Sequence, residues 1–178
     1  MTDSEIVSET RIKGCFIMSS AIHDDSRGSF REWFKKNLIF DFEMQQGNFS
    51  TSNLGVLRGM HFSIGKQSQA KVVTCVSGEI QDVLVDVRPD SATFKEVVSV
   101  NLSPTIGQSL LIAPGVAHGF LALKEGAVVV YLTSEKYEPS AERSLNAFDP
   151  LLEGVWSLTG FKRSRKDEEA PYLKDLHF

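Results

Sequence analysis

Within residues 57–73, LRGMHFSIGKQSQAKVV, an arginine, a histidine and a lysine stand among apolar residues that read as two strands. An ordinary strand core has no use for His61 or Lys71, whereas a proton-transfer site has use for both. Histidine titrates near neutrality, and a positioned general base contributes typically 10²–10⁴-fold to a rate. Lys71 is flanked by Val72 and Val73, and a lysine is rarely buried whole without a partner. The plainer readings are a hydrogen-bonded rim histidine and a rim lysine with its head in water. Tyr131, in VVVYLTS, is either a core ring with a satisfied hydroxyl or a phenolic proton donor.

A metal cage is the competing use for histidines. In β-barrels it commonly needs H-x-H spacing, a later acid and a distant third histidine. Here Ser63 follows His61 at plus two, no acid follows before Glu79, and His118 alone holds the distant position. Acid–base chemistry fits these residues better than a metal centre does.

Other groups extend the picture. In DDSRGSFREWF, residues 24–34, Arg27 and Arg31 could join Arg58 in a phosphate clamp, with Phe30 free to stack on a base. KYEPSAERS, residues 136–144, places Tyr137, Glu142 and Arg143 in a loop after the Tyr131 strand. SRKD, residues 164–167, reads in two ways. Ser164 and Asp167 fit a helix-starting capping box, or Asp167 orients His61 as carboxylates do in His–Asp pairs.

These side chains need a scaffold of strands. Runs at 14–20, 54–62, 69–77, 79–88, 94–102, 108–114, 117–123 and 127–134 are short, rich in Val, Ile, Leu and Phe, and bounded by turn residues. Gly78 marks a tight hairpin between two runs, and 88–93, 103–107 and 113–115 read as loops. Strands without intervening helices argue for an antiparallel sandwich or barrel. Lys71, Val73 and Cys75 share one strand face. Arg58 and His61 are three apart, so a regular strand points them to opposite faces; a bulge at Gly59 would re-aim one. The charged tail 164–178, interrupted by Pro171, reads as helical and packs on the barrel or a neighbour.

Composition sets the class. The 178 residues are 42% hydrophobic and 24% charged, which suits one globular domain spanning 1–178. A net charge of −4 gives no footprint for nucleic acid or anionic membrane. Cys15 and Cys75 lack the spacing of a metal or redox motif, so a reducing, cytoplasmic setting is expected. No secretory start and no membrane-length apolar run is visible.

Taken in order, LRGMHF, QAKVVTCVSGEIQDVLVDVRPDSATF, APGVAHGFLAL, YLTSEKYEP, ERSLNAFDP and SRKDEEAPYL resemble the dTDP-4-dehydrorhamnose 3,5-epimerases and related nucleotide-deoxysugar epimerases, from about residue 13 onward. The resemblance implies an all-β, cupin-type jelly-roll barrel with a short helical C-terminal tail, working as a homodimer. It implies that His61 of RG-x-H is the base, Asp167 its partner, Lys71 the neighbour of a keto oxygen and Tyr131 the acid on the opposite sugar face. Arg58 matches a pyrophosphate ligand. Arg27, Phe30, Glu32 and Gln46 match nucleotide contacts, some reaching in from the partner subunit. His118 matches a sugar contact, and Tyr137, Glu142 and Arg143 are expected to complete the substrate site. The implied reaction inverts carbon 3, carbon 5 or both of a nucleotide-4-keto-6-deoxy sugar through an enolate, without cofactor or metal. Phe49, Phe62, Ser63, Val116 and Leu132 depart from residues frequent in the family and flank the expected sugar pocket. Which carbon inverts, and which base and sugar the nucleotide carries, stay open at this point, and a non-catalytic sugar-nucleotide-binding barrel is the alternative reading.

Overall fold

The computed structural model describes residues 6–36 and 42–177. The start of the polar N-terminus, residues 1–5, and Phe178 of the charged tail lie outside the described residues. Val-, Ile- and Leu-rich runs punctuated by glycine and proline become strands β1 (Ile6–Glu9), β2 (Phe16–Ser19), β3 (Ile22–Asp25), β4 (Gly28–Arg31), β5 (Gln46–Ser52), β6 (Leu57–Ser63) and β7 (Lys71–Ser77). They continue as β8 (Ile80–Val85), β9 (Val97–Leu102), β10 (Gln108–Ile112), β11 (Ala117–Ala122), β12 (Ala127–Thr133) and β13 (Glu142–Ser144). A single helical turn, α1 (Arg165–Glu168), follows.

Strands β5 to β12 pair in nested order: β5 with β12, β6 with β11, β7 with β10 and β8 with β9, all antiparallel. A long hairpin of eight strands is thus rolled upon itself. It yields two facing sheets, β1-β2-β10-β7-β12-β5 and β13-β6-β11-β8-β9. This is the jelly-roll barrel. Its interior is packed by Val73, Cys75, Ile80, Leu84, Leu110, Ile112 and Val129. Burial of such residues supplies the main stabilisation, about 25 cal/mol per Å² of apolar surface removed from water.

Two expectations need correction. Gly78 does turn tightly, with φ of +72°, but it makes no hairpin. β7 and β8 belong to different sheets, so the turn carries the chain across the barrel. The strand β5 was also not anticipated, for its sequence QGNFSTS is polar.

The outer faces are covered differently. Leu151, Leu152, Trp156, Leu173 and Leu176 pack on Val83 and Val85 of the five-stranded sheet and on Val87 just past the end of β8. This explains why every residue of β8 is buried, and it shows the tail lying against the barrel's flank. On the six-stranded sheet, Met18, Val72 and Leu111 are covered by Phe16, Trp33, Phe34 and Met44. Farther along the same sheet Phe49 remains 77% exposed and Val76 44% exposed.

Candidate active site

One end of the barrel interior is left open, as a cavity of about 630 Å³. Strand parity decides what faces it. Thr133 lies opposite Lys71, and Tyr131 lies opposite Val73. On the other side of β12, Gln46, Asn48 and Ser50 pair with Thr133, Tyr131 and Val129. Cross-strand partners share a face, so these residues continue the face that carries the core. The cavity is the polar end of the same inner surface.

The opposite wall comes from β6 and β11. His61 and His118 are direct partners, and Phe120 pairs with Arg58. Two residues, Gly59 and Met60, therefore oppose the single Gly119. This bulge turns Arg58 and His61 onto the same wall, and both line the cavity. Glycine is required there. Gly59 has φ of +118°, and a Cβ on it would lie 2.6 Å from the Gly119 Cα and 2.7 Å from the His118 carbonyl oxygen.

His61 Nε2 lies 2.6 Å from Asp167 Oδ1. His61 is partly open to the cavity, and Asp167 is buried. With a proton on Nε2 facing the carboxylate, the lone pair resides on Nδ1, which suits a general base. Ser164 caps α1 by accepting from the Asp167 backbone N–H at 3.2 Å. Both readings of SRKD thus coexist: the serine caps, and the aspartate side chain goes to His61. Burial pushes the Asp167 carboxyl up, but the bond and charge of His61, with help from Ser164 and Gly59, hold it below its ordinary value. It stays ionised and ready to support an imidazolium.

Lys71 and Tyr131 face this pair from the other sheet. Burial lowers the Lys71 ammonium from 10.5 to about 8, against the opposing pull of Glu142 and Asp82. It remains largely cationic at neutral pH. Burial, then the charge of Glu142, push the Tyr131 phenol up, with Arg58 pulling slightly down. Tyr131 therefore holds its proton at neutral pH and can donate it.

Several expected residues complete the lining: Gln46, Arg58, His118, Tyr137 and Glu142. His118 Nε2 lies 2.9 Å from the buried Asp82 Oδ2. Tyr137 donates its hydroxyl to Glu142 Oε2 at 3.0 Å, and its backbone N–H to Gln46 Oε1 at 2.9 Å. Glu142 also pairs with Lys166 of α1. Lys166, Lys162, Arg163 and Asn48 escaped the sequence reading. The KR and RK pairs flanking Ser164 were the available signal, because they sit beside the Asp167 motif.

Four expected residues do not reach this chain's cavity. Arg27 pairs with Asp25 at 2.6 Å, Phe30 is 63% exposed, and Glu32 pairs with Lys35 at 2.6 Å. Arg27 and Phe30 belong to the separate β3–β4 hairpin, and Glu32 follows it directly. Arg143 follows Glu142 on β13 and so points the other way, donating to the Ser140 and Glu142 carbonyls. The three-arginine clamp is not formed either. Arg31 is spent on Ser20, Thr74, Gln108 and Ser109, pinning the hairpin to the six-stranded sheet.

A histidine on one sheet, held by a carboxylate from α1 and faced by an ammonium and a phenol on the other sheet, is an arrangement able to transfer protons inside a jelly-roll barrel. Residues 9–175 match the family model described as dTDP-4-dehydrorhamnose 3,5-epimerase. The Mycobacterium tuberculosis dTDP-4-dehydrorhamnose 3,5-epimerase is 40% identical over 176 residues, covering 94% of this chain and 87% of that protein. The Legionella pneumophila dTDP-6-deoxy-D-glucose-3,5-epimerase, solved with dTDP-4-keto-L-rhamnose, superposes with a TM-score of 0.92 at 35% identity, covering 98% of this chain and 95% of that one. A 3′-monoepimerase from Streptomyces bikiniensis, solved with dTDP-quinovose, gives 0.85 at 35% identity, covering 92% and 85%. This chain belongs to the dTDP-4-dehydrorhamnose 3,5-epimerase family.

Proposed function

We propose that the chain epimerises a dTDP-4-keto-6-deoxy sugar at carbon 3, carbon 5 or both. The supporting observation is the placement of His61–Asp167 and of Lys71 with Tyr131 on opposite walls of one cavity. A 4-keto group acidifies the hydrogens on both neighbouring carbons. His61 Nδ1 removes one of them, and the imidazolium formed is stabilised by Asp167. The electron pair moves onto the keto oxygen, where the Lys71 ammonium holds it. Tyr131 then returns a proton to the same carbon from the other face, which inverts it, and solvent restores the starting protonation. Atoms and charge balance with these residues and water alone.

Arg58 takes the diphosphate in this reading, and Gln46, His118, Tyr137 and Glu142 hold the sugar and nucleotide. The chain works as a homodimer. Exposed Phe49 and Val76 on the six-stranded sheet offer apolar area for that contact. The pinned hairpin then delivers Arg27, Phe30 and Glu32, and Arg143 is left to the periphery of the site. Buried free Cys15 and Cys75 suit a reducing cytoplasm.

The test is NMR of dTDP-4-keto-6-deoxyglucose with the protein in heavy water, scoring deuterium at carbons 3 and 5 separately. Label at both with inversion gives a double epimerase, and label at one gives a single epimerase. No label at either carbon refutes the assignment.

A further inference from the structure

The charged groups lining the cavity are unevenly matched. Asp167 answers His61, and Glu142 answers Lys166. Arg58 has only neutral acceptors, donating to Ser52 Oγ at 2.9 Å and to the Thr51 carbonyl at 3.0 Å. Lys162 lines the same cavity and has no ion-pair partner among the described residues.

Backbone geometry aims Lys162. Val56 and Lys162 form a parallel bridge. It is bracketed by Leu57 N–H donating to the Lys162 carbonyl and Lys162 N–H donating to the Gly55 carbonyl, each at 2.9 Å. Bridged residues project to the same side, and alternate residues of a strand share a face. Lys162 therefore lies on the side of Val56 and Arg58. Its neighbour Phe161 faces the other way, packing with Leu57, Leu121 and Trp156. Arg163 also lines the cavity, and it anchors the segment with its guanidinium 4.3 Å from the Phe148 ring centroid and a bond to Asn146 Oδ1 at 3.3 Å.

We propose that Lys162 is a second phosphate-binding cation, acting beside Arg58 on the diphosphate of a sugar nucleotide. The proposal rests on the function given above. An arginine fork grips one phosphate in a fixed plane, and a lysine supplies a point charge to the other. A chain of net charge −4 thereby keeps a positive rim where its anionic ligand enters, which steers encounter. The division of labour also gives a preference for diphosphates, since a monophosphate engages one cation only.

The experiment is calorimetric titration of the full chain with dTDP, dTMP and thymidine. Lys162→Gln is expected to weaken dTDP about tenfold, as for loss of one partly exposed charge-assisted bond. Thymidine affinity stays unchanged, and the preference for dTDP over dTMP shrinks. Lys162→Arg retains most of the affinity. Wild-type affinity for dTDP in Lys162→Gln, with Arg58→Ala weakened, overturns the role of Lys162 and leaves the site reading intact. A wild-type chain that fails to bind dTDP overturns both.

Discussion

Lys71 is a charge kept where the fold would rather have none, and replacing it should reveal the cost. The perturbation is Lys71→Met, which keeps the length of the side chain and removes the ammonium. The drop from 10.5 to about 8 is caused first by burial and corresponds to roughly 3 kcal/mol of penalty on the charged form. Lys71 retains some exposure, and solvent screening reduces the realised figure to about 1–2 kcal/mol. The variant should therefore be more stable than wild type at pH 7, by a few degrees in Tm for a chain of this size. The pH dependence carries a definite sign. Below pH 8 the lysine is charged in folded and unfolded chains alike, and the penalty is complete. Between pH 8 and 10.5 the folded chain sheds a proton that the unfolded chain still binds, so wild-type stability gains with rising pH. The advantage of the variant should shrink across that window and vanish above it. Urea unfolding at pH 7, 9 and 10.5 measures this. Exchange at the substrate carbons should fall by about 10²–10³-fold with the enolate left unsupported. Wild-type activity itself should decline as pH rises through about 8. A variant less stable than wild type at pH 7, or a difference that ignores pH, would refute the reasoning.

Asp167→Asn should lower deuterium exchange by roughly 100-fold or more while dTDP affinity persists, because the amide neither fixes the tautomer nor supports the imidazolium; exchange within threefold of wild type would remove Asp167 from the mechanism. Tyr131→Phe should keep some label wash-in with unchanged configuration, since protonated His61 can return a proton to the face it came from. Label and inversion falling in proportion would assign the acid elsewhere. Gly59→Ala should cost roughly 3 kcal/mol or more, because its Cβ meets two backbone atoms of β11 within 2.7 Å; an unchanged denaturation midpoint would contradict the tight crossing.

The bulge shows why part of the site was legible. Arg58 and His61 are three apart with a glycine between them, and only a break in strand parity puts both to use. Strand β5 shows the reverse. Its inward residues Gln46, Asn48 and Ser50 face a polar cavity, and its one large apolar residue, Phe49, faces out. The usual alternation signal is inverted, so apolar patterning cannot find it. Gly78 was legible as a turn and not as a crossover, because local sequence does not record which sheet a strand joins. Asp167 carried two meanings at once, and only the tertiary approach of α1 to β6 separates the backbone cap from the carboxylate's partner. Lys162 owes its position to a bridge with Val56, more than a hundred residues away, and nothing near it in the chain announces that contact.

The two halves of the proposed proton relay hang from different sheets, and among the described residues no hydrogen bond joins His61 to Tyr131 or Lys71. His61 belongs to the five-stranded sheet, and Tyr131 and Lys71 to the six-stranded one. Their separation is the gap between the layers, about 10 Å in packed sheets, and that gap is propped by Val73, Leu84, Leu110 and Val129. The aliphatic filling therefore acts as a spacer gauge for the chemistry. A methyl group removed deep in the barrel, touching neither catalytic wall, changes how far a proton must travel, and turnover becomes a ruler for interior volume.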